Sequence, residues 1–264
     1  MIKRSSTAKD YYPGTKKAIA TFLVLAMLLL FCNTASAHVF EDIKVGMSRE
    51  KVTELLDGYT IDYSSDNYTM YLDEQAELYV LYSNDQVSFY DLRISGNQET
   101  QIDFRQPDWS ISFSEAVNAL KEESVQFSVS EAQLSSGKDA RVSYYGKIDS
   151  IPLVYTMEFD DADLMCKVEI MSPDEEMRFI DLLGFIKAVV EQLGTPDDAI
   201  GFNNLEYDGG DLMDWLTDIA YWTENGNVYS FDLTHRIEYT IEDETANSEN
   251  NTYVPCITIT PEGK

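Results

Sequence analysis

Hydrophobic and polar positions along this chain switch repeatedly between two periods. After Ser48 the apolar residues Val52, Leu55 and Leu56 fall at i, i+3 and i+4, the stripe of an amphipathic helix. Ser48 can cap its first turn, and Gly58 closes it. The period then drops to two. Residues 59–63, 68–72, 78–82 and 87–94 read as strands, and Asn84-Asp85 turns the last hairpin. A second helix opens at Ser112 with Glu115 three residues on, a capping box, and its stripe is Ala116, Val117 and Leu120. Strands follow at 125–129, 140–145, 153–159 and 164–171, with Asp160 to Asp163 as the final turn. Ser172-Pro173-Asp174-Glu175 combines cap, first-turn proline and box glutamate, predicting a third helix from there to Leu193, closed by Gly194-Thr195-Pro196. Strands at 219–223, 228–234 and 253–260 complete the series, the first two joined through Asn225-Gly226.

The pattern predicts an α+β fold made of repeated units, each a helix packed on a curved antiparallel sheet. The units expected are 38–96, 109–171 and 172–264. Residues 96–108, the Ser135-Ser136-Gly137 patch and the acidic stretch 242–251 read as linker or loop.

The first 37 residues stand outside this pattern. Lys3, Arg4, Lys9, Lys16 and Lys17 form a basic segment, residues 18–31 are uncharged and apolar, and Ala35-Ser36-Ala37 is a small-x-small cleavage pattern. The run is shorter than the roughly 20 residues a spanning helix needs. The expectation is a cleaved export signal, residues 1–37, and a secreted or periplasmic protein of the bacterial envelope with no membrane span after cleavage. Cys32, after Leu29-Leu30-Phe31, offers lipid anchoring as the lesser reading, because a lipidated cysteine wants a small residue before it and Phe31 is large.

Charge narrows the partners. The whole chain carries 19 Lys and Arg against 47 Asp and Glu. Removing the leader takes five basic residues and one acidic one, leaving 14 against 46 and a formal charge of −32. Such a surface repels phosphate backbones and anionic lipid, so nucleic acid is excluded and a basic protein suits it. With 44% hydrophobic residues, 17 Tyr and 12 Phe, the acidity does not signal disorder. Cys166 and Cys256 read as one disulfide or as two buried thiols.

Catalytic chemistry is hard to assemble. His38 and His235 are the two histidines, and neither belongs to a nucleophile motif. Paired carboxylates are too abundant for any one pair to point to a glycosidase. Calcium is the stronger chemical option: Asp160, Asp161, Asp163, Asp208 and Asp211 put hard oxygen donors on turns, although Asp and Gly favour turns for backbone reasons alone. Aromatic residues in adjacent pairs carry the main expectation. Phe89-Tyr90, Tyr144-Tyr145 and Tyr221-Trp222 must send one ring to each face of a regular strand. With Tyr82 they are the candidate partner-binding residues, since Tyr and Trp commonly anchor protein interfaces.

The segment Ile43-Lys44-Val45-Gly46-Met47-Ser48-Arg49-Glu50-Lys51-Val52-Thr53-Glu54-Leu55-Leu56 resembles the opening of a superfamily of small exported domains. That superfamily includes the small lipoproteins of the outer-membrane β-barrel assembly machinery and the β-lactamase inhibitor proteins. Leu193-Gly194-Thr195-Pro196 is similar to the motif that follows the helix in the same family. The resemblance implies a helical hairpin on a curved antiparallel sheet and a non-enzymatic role in binding another exported protein through the sheet face. The expected function is therefore an exported, non-enzymatic protein-binding module; the alternative is an envelope calcium or small-ligand binder using the acidic turns.

Overall fold

A computed structural model describes residues 39–105, 107–134, 137–173, 177–200, 219–236 and 252–263. The export signal, Cys32, His38, Asp208 and Asp211 lie outside the described residues. Most of what is described is β-structure, with three short helices.

Helix α1 (Arg49–Leu55) starts as its sequence predicts: the Ser48 hydroxyl accepts from the Lys51 amide at 3.3 Å, and Val52 is buried. Four strands follow, β1 (Thr60–Ser64), β2 (Tyr68–Leu72), β3 (Ala76–Ser83) and β4 (Gln86–Ile94). Asn84 and Asp85, between β3 and β4, have φ of 53° and 60°, the left-handed pair a two-residue hairpin requires. After the two-residue β5 (Thr100–Gln101), helix α2 (Phe113–Glu122) carries the full capping box. The Ser112 hydroxyl accepts from the Glu115 amide, and the Glu115 carboxylate accepts from the Ser112 amide at 2.9 Å. Strands β6 (Phe127–Leu134), β7 (Gly137–Ile148), β8 (Ile151–Phe159) and β9 (Met165–Met171) come next. Helix α3 (Phe179–Leu193) precedes β10 (Asp198–Ile200), β11 (Ile219–Glu224), β12 (Asn227–Arg236) and β13 (Thr252–Pro261).

Rather than one sheet under each helix, the strands make a single open sheet. Its order is β1-β2-β3-β4-β6-β7-β8-β9-β13-β12-β11-β10, antiparallel throughout, with β5 parallel to β7 off this path. The joins are β4 to β6 and β9 to β13. The physical reason is edge pairing: the outer strands of each run bear unpaired amides and carbonyls, and two such edges satisfy one another.

Register divides the sheet into two contrasting faces. One cross-strand row runs Tyr71, Leu78, Leu92, Val129, Val142, Met157, Val168, Ile259, Tyr229 and Trp222, and every member is buried. The helices cover this face: Phe113 meets Phe159 edge-on at 5.4 Å, and Phe185 lies 6.3 Å from Phe231. One position along each strand, the opposite row runs Glu77, Arg93, Ser128, Ser143, Thr156, Glu169, Thr258, Ser230, Tyr221 and Asp198. No described helix packs on that side, and its polarity is what an open face needs.

Three sequence expectations are corrected. The Ser172-Pro173 motif does not start α3. Pairing of Met171 with both Val154 and Cys256 carries the chain to that point as strand, Ser172 is buried at the exit, and α3 begins at Phe179 with no side-chain cap. The 96–108 linker is packed structure. Ile102 and Phe104 are buried, Phe104 meets Phe185 at 6.2 Å, and the Phe104 amide donates to Gln192 Oε1 at 3.1 Å. The approach is close enough that a Cβ on Gly146 would lie 2.8 Å from the Thr100 carbonyl oxygen.

The third concerns the cysteines, which the sequence left open between a disulfide and two thiols. Cys166 and Cys256 are not bonded to each other. Cys256 stands opposite Met171, five positions along β9 from Cys166. At about 3.3 Å per residue that is roughly 16 Å, far beyond the roughly 7 Å Cα separation a disulfide can span.

Candidate functional site

The open face is the best-formed surface for recognition, and its side chains sort into three zones. At the β1–β4 end lies an aromatic corner. The Tyr63 and Tyr68 rings stack at 4.9 Å with 17° between planes, and Tyr68 lies 5.1 Å from Tyr79. Register places Met70, Leu81 and Phe89 on the same face, all half-buried. Tyr63 reaches this face through a local irregularity. Ile61 stands opposite the core-facing Tyr71, so a regular strand would point Tyr63 to the core side as well. The register shift between Ile61 and Tyr63 pairs Tyr63 with Met70 instead, which turns its ring to the open side and leaves it 51% exposed. The Tyr68 phenol is held above its ordinary value by desolvation first and by its hydrogen bond and proximity to Tyr63 second.

The centre is polar and internally paired. Arg141 sits between Asp139 at 2.9 Å and Glu158 at 3.3 Å, and Lys167 between Glu158 at 3.3 Å and Glu169 at 2.6 Å. Arg93 pairs with Asp91 at 3.2 Å, while burial raises the Asp91 carboxyl. Ser143 and Thr156 share a hydrogen bond of 2.9 Å. The central charges are thus paired with one another and need no outside partner. Beyond them a smaller apolar row crosses from Tyr145 through Val154 and Met171 to Cys256. Its Tyr145 is 43% exposed, and Tyr221 on the adjoining polar row is 37% exposed.

The adjacent-pair rule sorts the candidate aromatics as geometry demands. Phe89, Tyr145 and Tyr221 belong to the open face, whereas Tyr90 and Trp222 are buried in the core. Tyr144 also turns to the core side, stacked on Tyr155 at 4.9 Å. Tyr82 is buried beneath the Arg49 guanidinium, which lies 4.2 Å over its ring. Tyr82, Tyr90, Tyr144 and Trp222 are therefore placed on the core side, away from the open face. Of the three rings of the corner, Tyr68 and Tyr79 stand among the strand aromatics that the sequence offers for an interface but outside the partner-binding set, and Tyr63 was not a candidate. The β2–β3 alternation in the sequence carried a signal for Tyr68 and Tyr79; nothing local announced Tyr63, whose facing depends on the shift.

The acidic turn does not gather ligands. Asp160 Oδ1 accepts from the Ala162 and Leu164 amides at 2.9 and 3.1 Å, Asp161 accepts from the Lys138 amide at 2.9 Å, and Asp163 faces the Lys138 ammonium at 3.8 Å. Asp160 serves the backbone of its own turn, and Asp161 and Asp163 tie that turn to Lys138 on β7. Among the described residues, no three His, Cys, Asp or Glu side chains are grouped to hold a metal ion. His235 lies on β12, opposite Tyr253. Among the described residues no helix is long and apolar enough to cross a membrane. No protein-family model matches the chain, and none of the curated proteins matches it.

Proposed function

We propose that this chain is an exported, non-enzymatic binding protein that engages a protein partner on the open face of its sheet. The observation that carries the reading is the contrast between the faces: one is buried under helices, and the other presents the stacked corner of Tyr63, Tyr68 and Tyr79 beside a self-paired polar centre. Tyrosines are economical anchors, being large, amphipathic and restricted to few rotamers. The central ion pairs supply a polar field that selects the partner's orientation more than it adds affinity. Tyr145 and Tyr221 extend the contact toward the other end of the sheet.

The finer architecture belongs to the same proposal. Three times in the element order a helix is followed by four strands of the main sheet path, the first time with the two-residue β5 added. This supports three tandem units fused edge to edge, with the last running backwards in the strand order. It also supports kinship with the exported superfamily that residues 43–56 resemble, in which the sheet face is the contact surface.

The test is co-purification of the tagged protein from its own host, comparing wild type with a Tyr63→Ser/Tyr79→Ser double variant. Each ring at an interface centre contributes about 2 kcal/mol on truncation, so the pair weakens binding by well over about a hundredfold. The variant should keep the wild-type unfolding midpoint to within about 3 °C and lose the partner. Undiminished capture by the folded double variant would overturn the reading.

A further inference from the structure

We infer that the outer edge of β1 is a strand-addition site for an extended, Lys- or Arg-bearing segment of another protein. The inference rests on the protein-binding reading above and names the chemistry of the partner and how it docks.

β1 ends the sheet: it pairs with β2 on one side, and no described strand lies on the other. All five of its residues are exposed, and Ile61 at 54% and Tyr63 at 51% are its large apolar side chains. Sheet edges are normally guarded against pairing by lysine, by proline, by a bulge or by a cover. Thr60-Ile61-Asp62-Tyr63-Ser64 contains no lysine and no proline. Of those guards it has, among the described residues, only a bulge, the shift between Ile61 and Tyr63, and that shift turns Tyr63 toward Tyr68 and Tyr79. A strand laid against β1 would therefore gain main-chain hydrogen bonds from the edge and rest alternate side chains beside the ring stack.

Charge selects the occupant. Between Lys51 and Arg93 the sequence has no lysine or arginine and nine acids, of which Asp57, Asp62, Asp66 and Glu74 are exposed around this edge. Arg49 reaches the corner but is engaged by the Asp66 carbonyl, Asp85 and the Tyr82 ring. A second copy of the chain would bring Asp62 and this acidic surround against like charge. A strand with lysine or arginine at alternate positions meets both needs, pairing with Asp62 and placing its cation over tyrosine faces.

The probe is a short synthetic peptide alternating lysine and valine, with a control of the same charge that carries proline at the alternate positions. The readout is amide hydrogen exchange of the purified protein. The expected result is slowed exchange in β1 with the alternating peptide and none with the proline control, weakened about tenfold by Asp62→Lys through loss of one pair and creation of a like-charge contact. Unchanged β1 exchange at saturating peptide would overturn the inference. So would β1 amides already protected before peptide is added, which would assign the edge to the chain's own leader or, where protection grows with protein concentration, to a second copy. The two readings separate cleanly. Loss of the native partner in Tyr63→Ser/Tyr79→Ser with β1 unprotected by that partner leaves the face reading and removes this one. Protection of β1 by the native partner with undiminished capture by that variant supports this inference and removes the face reading.

Discussion

Phe104 offers the sharpest quantitative test of the architecture, because its position contradicts a linker. Its side chain is fully buried, its ring meets Phe185 of α3 edge-on at 6.2 Å, and its amide is held by Gln192 of the same helix. Replacing a fully buried phenylalanine by alanine costs about 3–5 kcal/mol, made up of lost transfer energy and the cavity left behind. A protein of this size loses about 2–4 °C of midpoint per kcal/mol. Phe104→Ala should therefore lower the thermal midpoint by about 6–20 °C, and Phe104→Leu by less than half as much, since most of the volume is kept. Because Phe104 ties the segment between β4 and β6 to the helix ahead of β10–β13, the whole transition should shift as one. Differential scanning calorimetry reads both features. A shift under about 2 °C, or a variant in which one partial transition moves while another stays, would refute a shared core.

Other outcomes follow from individual contacts. Arg49→Met removes the cation over the Tyr82 ring and the donor to the Asp66 carbonyl, which should cost about 1–2 kcal/mol and speed amide exchange in the β1–β2 turn. Burial raises the phenols of Tyr82, Tyr90, Tyr144 and Tyr155 above their ordinary value of 10.0. The folded state holds their neutral form, so this stability is present in full below about pH 10 and is lost as pH rises through the raised values. In an absorbance titration these phenols should ionise together with loss of circular dichroism, and their ionisation in a folded protein would contradict it. Burial, with Glu169 second, pushes the Cys256 thiol up to about 11, so alkylation at neutral pH should be slow in the folded protein. Once unfolded without reductant, Cys166 and Cys256 should both alkylate; a resistant pair, lighter by two hydrogens, would show a bridge between them.

How much of this was legible in the sequence depended on range. Signals completed within one turn were readable: the Ser112–Glu115 box, the Ser48 cap, and the Asn84-Asp85 and Asn225-Gly226 hairpins, where Asn84, Asp85, Asn225 and Gly226 all adopt positive φ. Alternation also required each of the pairs Tyr144-Tyr145 and Tyr221-Trp222 to split between the faces, but not which ring took which side; the register decides that. What failed was non-local. Ser172-Pro173 has the composition of a helix start, yet ladder pairing of Met171 on both sides outweighs it. Residues 96–108 are polar enough to read as linker; among the described residues of that segment only Ile102 and Phe104 are buried, and two residues show no period. Strand β10 is three residues long, too short for alternation to register. The joins between β4 and β6 and between β9 and β13 are properties of sheet edges, which no single strand encodes. Of the candidate site, the aromatic content was readable, but the corner depends on cross-strand register and on the shift that re-aims Tyr63.

The central claim, that partners are met on the open face, is tested most directly by site-specific photo-crosslinking in the living host. A photoreactive residue would be placed in turn at Tyr79 and Tyr145 on the open face, and at Glu54 and Lys187 on the helix side. The account predicts one discrete crosslinked protein from both open-face positions and none from the helix positions. Crosslinks from Glu54 or Lys187 with silence at Tyr79 and Tyr145 would contradict it.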